Sequence, residues 1–379
     1  MIRSKVTLVS ATVLAALAAF SVAAGNVAID GPVSASGRLY VVVSPEAAPG
    51  PTAVTVFGLD ADGRPRQGET IETGGLGAAF SSPQGIATNP RGDLLFVANN
   101  HSDDVSVFHI LTDGSLDPVP GPFPVGGTPA YLAVDPSGEF LYVGDIANGR
   151  VRVLRIDDTG ELSAVQAVPA GLPAEIEVHP SGDLLFVASF TGIRVFAVAE
   201  NGTLTEVAGS PFAVPGNRTL HLELDSYGDR LFGLDLDRGI AAYDVEPSGA
   251  LELVDGSPAF VSSFASTLEL GEREDFLFAS SPFDATVDVF RVLGRGQLHE
   301  ISGSPFSGDF VPAELLNPRG TSRLYEIGAG TRRISVFEIG SNGRLTEAPN
   351  SPVDVADVAA RVPNGAVFAS RPVGFLTPP

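Results

Sequence analysis

The chain of 379 residues contains no cysteine, which excludes a disulfide framework, a thiolate metal site and a cysteine nucleophile. It contains no tryptophan, so the strongest stacking surface for sugars and quaternary amines is missing. Lys5 is the only lysine, and 23 basic residues face 45 acids for a net charge of −22. Nothing basic clusters locally to offset it, and an anionic surface of that size repels nucleic acid and anionic membranes. There is no Gly-x-Ser-x-Gly elbow, no phosphate loop ending in Gly-Lys-Ser/Thr and no His-Glu-x-x-His, so three common catalytic signatures are absent. Beyond the first two dozen residues no apolar period of 3.6 is sustained, which argues against long amphipathic helices. What is plentiful is apolar material (44%), glycine (43) and proline (30). That is the composition of a globular core cut by many turns.

Residues 1–24 have the pattern of an export signal. Arg3 and Lys5 precede an apolar stretch from Val6 to Val22, and Val22-Ala23-Ala24 offers small residues where a signal peptidase reads. Cleavage is expected after Ala24, giving a secreted or periplasmic protein; an uncleaved anchor is the alternative, since about 17 apolar residues lie at the lower limit for spanning. Loss of Arg3 and Lys5 takes the net charge from −22 to −24.

From residue 25 to 379 the chain repeats one unit. A representative copy reads Pro180-Ser181-Gly182-Asp183-Leu184-Leu185-Phe186-Val187-Ala188, then Ile193 to Val198, then Asn201-Gly202-Thr203-Leu204, then Gly209-Ser210-Pro211-Phe212. The glycine before the last strand recurs at 63, 114, 160, 202, 249, 296 and 343, at intervals of 42 to 51 residues. Gly-Ser-Pro recurs at Gly209, Gly256 and Gly303, with Asn350 replacing the glycine in the next copy. Each unit reads as four strands closed by Gly, Asp, Asn and Pro turns. Seven units of about 45 residues predict an all-β, seven-bladed β-propeller of four-stranded antiparallel blades. The first copy begins at its second strand, Arg38 to Val43, and a surplus inner strand lies near 357–362. The two chain ends are therefore expected to share one closing blade. Ala366 to Ala369 looks like a further second strand with no assigned place.

The run Pro-Ser-Gly-Asp/Glu followed by Leu-Phe/Tyr-Val, then Val-x-Val-Phe, Gly-x-Leu and Gly-Ser-Pro-Phe, resembles the lactonase-type seven-bladed propeller family, related to 6-phosphogluconolactonase and to proteins with YVTN-type repeats. Asp93 to Asn100 and Val105 to Ile110 match especially closely, and the resemblance spans residues 34–370. It implies a lactone-cleaving or lactone-forming site of His, Glu and Arg at the mouth of the central channel. The family's His-x-His on an inner strand is absent from the third copy, Ala130-Tyr131-Leu132. Of its Asp-Leu-Gly-x-Asp-Arg loop only Asp145 and Arg150 persist there, while Asp235-Leu236-Asp237-Arg238 keeps a trimmed form in the fifth copy. Asp145, Arg150, Asp235 and Arg238 are thus the substrate-binding residues the resemblance implies.

The inner strands carry a pattern of their own. Glu177, Glu223 and Glu269 fall at one position of three successive copies, 46 residues apart, with Glu314 45 further on. Two residues earlier, on the same side of each strand, stand Glu175, His221 and Thr267. Converging carboxylates at Glu177, Glu223 and Glu269 would suit Ca²⁺ or Mg²⁺. A crowded Glu175 or Glu177 would have a raised pKa and activate water, with His221 relaying the proton and Arg218 holding a carbonyl or carboxylate. The plainer alternative is a solvated polar channel whose repeated glutamates were inherited by duplication. His101, beside Asp103 and Asp104, reads as a turn residue before it reads as a metal ligand. Two functions remain open at this point. One is a hydrolase for a small, sugar-derived lactone; the other is a non-catalytic extracellular binding or scaffold propeller that contacts a protein through its rim loops. A monomer is expected, with no nucleic-acid partner and no membrane contact after signal cleavage.

Overall fold

The computed structural model describes residues 37–46, 49–77, 85–216, 218–236, 239–261, 264–356 and 361–369, and the export signal expected over residues 1–24 lies outside them. Seven antiparallel sheets follow one another along the chain, each with four main strands; three sheets add a short fifth strand. Blades 2 to 7 begin at their inner strands, which are Ile86–Thr88, Pro129–Val134, Pro173–Val178, Thr219–Leu224, Thr267–Leu270 and Pro312–Leu316. Among the described residues the only helix is the single turn Gly294–Gly296, and none is long and apolar enough to cross a membrane.

The repeated glycine has two jobs. All seven copies have φ between +66° and +85°, a region that L side chains enter only with strain. Each also packs against the side chain that opens the second strand of the preceding blade. A Cβ would come within 3.1 Å or less of Arg38 at Gly114, Leu94 at Gly160, Phe140 at Gly202, Leu184 at Gly249, Arg230 at Gly296 and Phe276 at Gly343. The series closes on itself, because Gly63 in the first blade meets Arg323 in the seventh. The serine of Gly-Ser-Pro has a constant role as well. Its Oγ accepts a hydrogen bond from the third-strand N–H of Val195, Ala242, Val289 or Val336 at 2.9 to 3.1 Å. Asn350 stands in for the glycine there at φ +63°, which asparagine tolerates better than most residues.

No blade has a core to itself. The buried apolar side chains form seven clusters, each a wedge between two neighbouring sheets. Closure depends on the wedge in which Leu39, Val41 and Phe57 of blade 1 meet Leu316, Tyr325 and Ile334 of blade 7. The Tyr325 hydroxyl donates to the Gly63 carbonyl across the same seam, 2.6 Å away.

The expected sharing of one blade by both chain ends is present, with a correction to its position. The inner strand of blade 1 is Val362–Ala369, paired antiparallel with Arg38–Ser44. Residues 357–360 lie outside the described residues. Ala366 to Ala369, which reads alone as a second strand, is the end of this inner strand. It is sheathed on both faces by blades 2 and 7, so its sequence lacks the alternation of a half-exposed strand.

Candidate functional site

The inner strands begin at one face of the ring, here called the entry face. Their lead-in segments hydrogen-bond there to the loops that follow the second strands. Ile146 N donates to Thr128 O, Leu236 N to Arg218 O, and Val311 N to Pro282 O. Register against the second strands sorts the inner-strand side chains into rows. Nearest the entry face, Glu175 lies opposite Ala188, His221 opposite Leu234, Thr267 opposite Ser280 and Glu314 opposite Ile327. One step deeper, Glu177, Glu223, Glu269 and Leu316 lie opposite Phe186, Phe232, Phe278 and Tyr325. Glu314 therefore belongs with Glu175 and His221, and Leu316 occupies the deeper row. Glu314 comes 45 residues after Glu269, one short of the 46-residue interval, and the turn before Arg323 has one residue more than its counterparts in blades 4 to 6; the two offsets together set Glu314 two positions, one full row, from the place of Glu269.

Blades 4 and 5 bring Glu175 and His221 together. His221 Nε2 stands 3.7 Å from Glu175 Oε2, and both side chains are buried, at 2% and 0% exposure. His221 Nδ1 lies 3.0 Å from the Leu222 carbonyl. The proton of the neutral ring belongs on Nδ1, leaving the Nε2 lone pair toward the carboxyl. Burial pushes the His221 pKa down to about 4. Burial pushes the Glu175 carboxyl well above the carboxylate range, and Glu223 adds to the rise, although the Ile176 N–H bonded to Oε1 opposes it. Burial thus favours the uncharged form of both members of the pair. Neither Glu175 Oε2 nor His221 Nε2 has a hydrogen-bond partner, and the hydroxyls of Thr219, Ser266 and Thr267 nearby are also buried without one. Native interiors seldom leave so many polar atoms unsatisfied in one place.

The deeper glutamates are engaged differently. The Glu269 carboxylate accepts the Asn317 N–H at 2.5 Å and Glu223 accepts the Leu270 N–H, so each reaches from its own blade to the next. Desolvation raises the pKa of Glu177 and Glu223 well above normal, and mutual repulsion with Glu269 raises it further. Among the described residues no group of three or more acidic or histidine side chains is arranged to hold a metal ion. Instead of converging on one point, Glu223 and Glu269 stitch the wall between blades.

Arg218 sits on the entry rim just before Thr219–Leu224, its backbone N–H bonded to Asp235 Oδ2 at 3.3 Å. Asp235 also accepts the Gly216 N–H, so it anchors the lead-in of blade 5. Asp145 does the same in blade 3, accepting from Thr128 N and from Asn148, and forming a two-point contact with Arg152 at 2.8 and 3.0 Å. Burial would raise its pKa, but the Asn148 and Arg152 donors outweigh that and hold it low. Arg152, which the sequence did not single out, is the arginine that pairs with Asp145; Arg150 is exposed at the start of its strand. Arg238 lies outside the described residues. His101 is exposed in its turn and Asp104 is bonded to Asn99 Nδ2, consistent with turn chemistry.

Fold and site together define a seven-bladed β-propeller with a buried acid–imidazole pair near its entry face. The profile of the family described as lactonase, 7-bladed beta-propeller, matches residues 30–128 and 111–221. The chain belongs to that family. It is 22% identical over 320 residues to a 6-phosphogluconolactonase of Yersinia pestis, covering 81% of this chain and 93% of that protein. A 6-phosphogluconolactonase of Pectobacterium atrosepticum is 29% identical over 125 residues, 32% of this chain and 37% of its own length. Among solved structures, a putative 6-phosphogluconolactonase of Bacteroides fragilis superposes with a TM-score of 0.71 at 18% identity, covering 89% of this chain and 99% of that one. The periplasmic gluconolactonase of Pseudomonas aeruginosa does so with a TM-score of 0.71 at 20% identity and the same coverage.

Proposed function

We propose that this propeller hydrolyses a lactone at the mouth of its channel, with the Glu175–His221 pair as the reacting groups. The observation that carries this reading is the pair itself: a buried carboxyl oxygen and an imidazole nitrogen 3.7 Å apart, each without a hydrogen-bond partner. His221 Nε2 takes a proton from water as the water oxygen attacks the lactone carbonyl. The ring C–O bond then breaks, and Glu175 protonates the departing alkoxide oxygen. Proton return from imidazolium to carboxylate restores the pair, so no cofactor or net redox change is required. Arg218 lies on the same rim and, on this reading, meets the carbonyl oxygen or a substrate carboxylate. Both reacting side chains are buried, so turnover requires the rim to part over them.

Sugar-derived lactones are the first substrates to assay, because the relatives are named for 6-phosphogluconolactone and gluconolactone. Proton release from δ-gluconolactone and its 6-phospho form should fall at least a hundredfold on Glu175→Gln and His221→Ala, the usual scale for general acid–base groups. Turnover retained in both variants would remove the pair from the reaction. A non-catalytic binding propeller is the second reading, favoured by the complete burial of the pair; a lactone bound without turnover by the parent protein would establish it. Export rests on Arg3, Lys5 and the apolar stretch up to Val22, together with the periplasmic location named for the Pseudomonas relative. N-terminal sequencing of the protein from a periplasmic extract should begin at Gly25; an intact Met1 would refute cleavage.

A further inference from the structure

Resting on the lactonase reading, we infer that the substrate is an apolar lactone carrying an alkyl or aryl substituent, received by an aromatic sector of the entry rim. All three exposed phenylalanines among the described residues, Phe260, Phe283 and Phe310, lie on the entry face of blades 5 to 7. Phe283 follows the second strand of blade 6, and its ring lies 5.8 Å from that of Phe264, which leads into the inner strand of the same blade. Phe310 leads into the inner strand of blade 7, and its neighbour Val311 donates to the carbonyl of Pro282, beside Phe283. Phe264 and Phe283 form a ring pair, Phe310 stands on the adjoining lead-in against Gly330, and exposed aromatic groups gathered on one rim mark a binding region. On the other side of the Glu175–His221 pair, Leu172 is half exposed just before Pro173, so large apolar groups flank the lead-ins of blades 4, 6 and 7.

Charge supports the same substrate class. Phe283 and Phe310 have Asp284 and Asp309 as chain neighbours. The chain carries its single lysine at position 5, in the predicted export signal. The Asp284 and Asp309 carboxylates disfavour a phosphate or carboxylate laid against these rings, whereas a neutral hydrocarbon substituent gains burial there. Full burial of a methylene is worth roughly fourfold in affinity, and a rim that covers one side of the chain roughly half of that free energy, about twofold per methylene.

The test uses the purified full chain and compares δ-gluconolactone with γ-valerolactone, γ-octalactone and γ-decalactone, by proton release and by calorimetric binding. We expect kcat/KM to rise about thirtyfold from the five-carbon to the ten-carbon lactone. Phe283→Ala with Phe310→Ala should flatten that rise to less than about threefold without moving the melting temperature, since both side chains are exposed. Tyr227→Ala, at a more exposed aromatic on the opposite face, should leave the rise intact. A flat series with short lactones still hydrolysed overturns the apolar assignment and leaves lactone hydrolysis standing. If no lactone is hydrolysed, the lactonase reading fails, and calorimetry decides this one separately: γ-decalactone must bind more tightly than γ-valerolactone and δ-gluconolactone, or the aromatic sector is not a substrate site. A concentration-dependent dimer dispersed by the double variant, with a flat chain-length series, would also overturn it by assigning the patch to self-association.

Discussion

Replacing Glu326 by glutamine tests the electrostatics of the ring directly. Glu326 is fully buried in the second strand of blade 7. Its carboxyl contacts the Ser280 hydroxyl of blade 6 at 2.5 Å and accepts the Asp309 N–H at 2.7 Å. Burial raises its pKa from 4.5 to about 8 despite those two bonds, with the Asp309 charge adding to the rise. In the unfolded chain the carboxyl ionises above pH 4.5, while in the fold it keeps its proton until about pH 8. The native state binds more protons through that window, so stability falls as pH rises through it and then levels off. A shift of about 3.5 pKa units corresponds to about 4–5 kcal/mol between pH 4.5 and 8. Glutamine reproduces the protonated acid: Oε1 accepts from Asp309 N–H and Nε2 donates to the Ser280 hydroxyl, with no charge to bury. Glu326→Gln should therefore melt within a degree or two of the parent at pH 5 and about 5 °C above it at pH 8.5, given about 0.8 kcal/mol per degree for a chain of this length. Calorimetric melts of both proteins at pH 5, 6, 7, 8 and 8.5 provide the comparison. The other buried glutamates tilt both curves alike and cancel in the difference. A gap that does not change with pH would show that Glu326 is not held protonated by the fold, and would refute the reasoning.

With His221 neutral down to about pH 4, the acid limb of kcat/KM for lactone hydrolysis should fall near pH 4; a limb near 6.5, the value of free imidazole, would mean that the catalytic base is not buried. Gly202→Ala should cost at least about 2 kcal/mol in urea unfolding, because a Cβ there meets the Phe140 ring at 2.4 Å as well as adopting φ +80°. Gly256→Ala should cost only about 1 kcal/mol, since its Cβ meets nothing within 4 Å at φ +90°; equal losses would remove the inter-blade packing role. Glu223 and Glu269 are already bonded to neighbouring backbone, so treatment with EDTA should leave the melting temperature unchanged. A fall of several degrees, reversed by Ca²⁺, would restore the expected cation site.

The local chemistry of the repeat was readable in one dimension. A glycine required at positive φ before each last strand, and a serine that accepts a third-strand N–H, recur at nearly constant intervals, because turn geometry is decided within a few residues. Period and strand count then left one architecture, since an isolated four-stranded sheet cannot cover both its faces. Register was harder. Glu314 falls one residue short of the interval that relates Glu177, Glu223 and Glu269, and one extra residue in the turn that follows makes the offset two, which puts it in the row of Glu175 and His221. The final strand was misplaced for a related reason: a run buried on both faces has no alternation to mark its phase.

Composition and period, taken alone, established the seven sheets, the anionic surface and the residues on each inner strand, all of which follow from local conformation or from counting. Only the closed ring decided which of those residues meet. Glu175 and His221 are 46 positions apart in the chain, and their 3.7 Å approach depends on how one sheet packs against the next. The same packing removes them from water, and that desolvation, absent from any list of residues, raises the pKa of the carboxyl and lowers that of the imidazole.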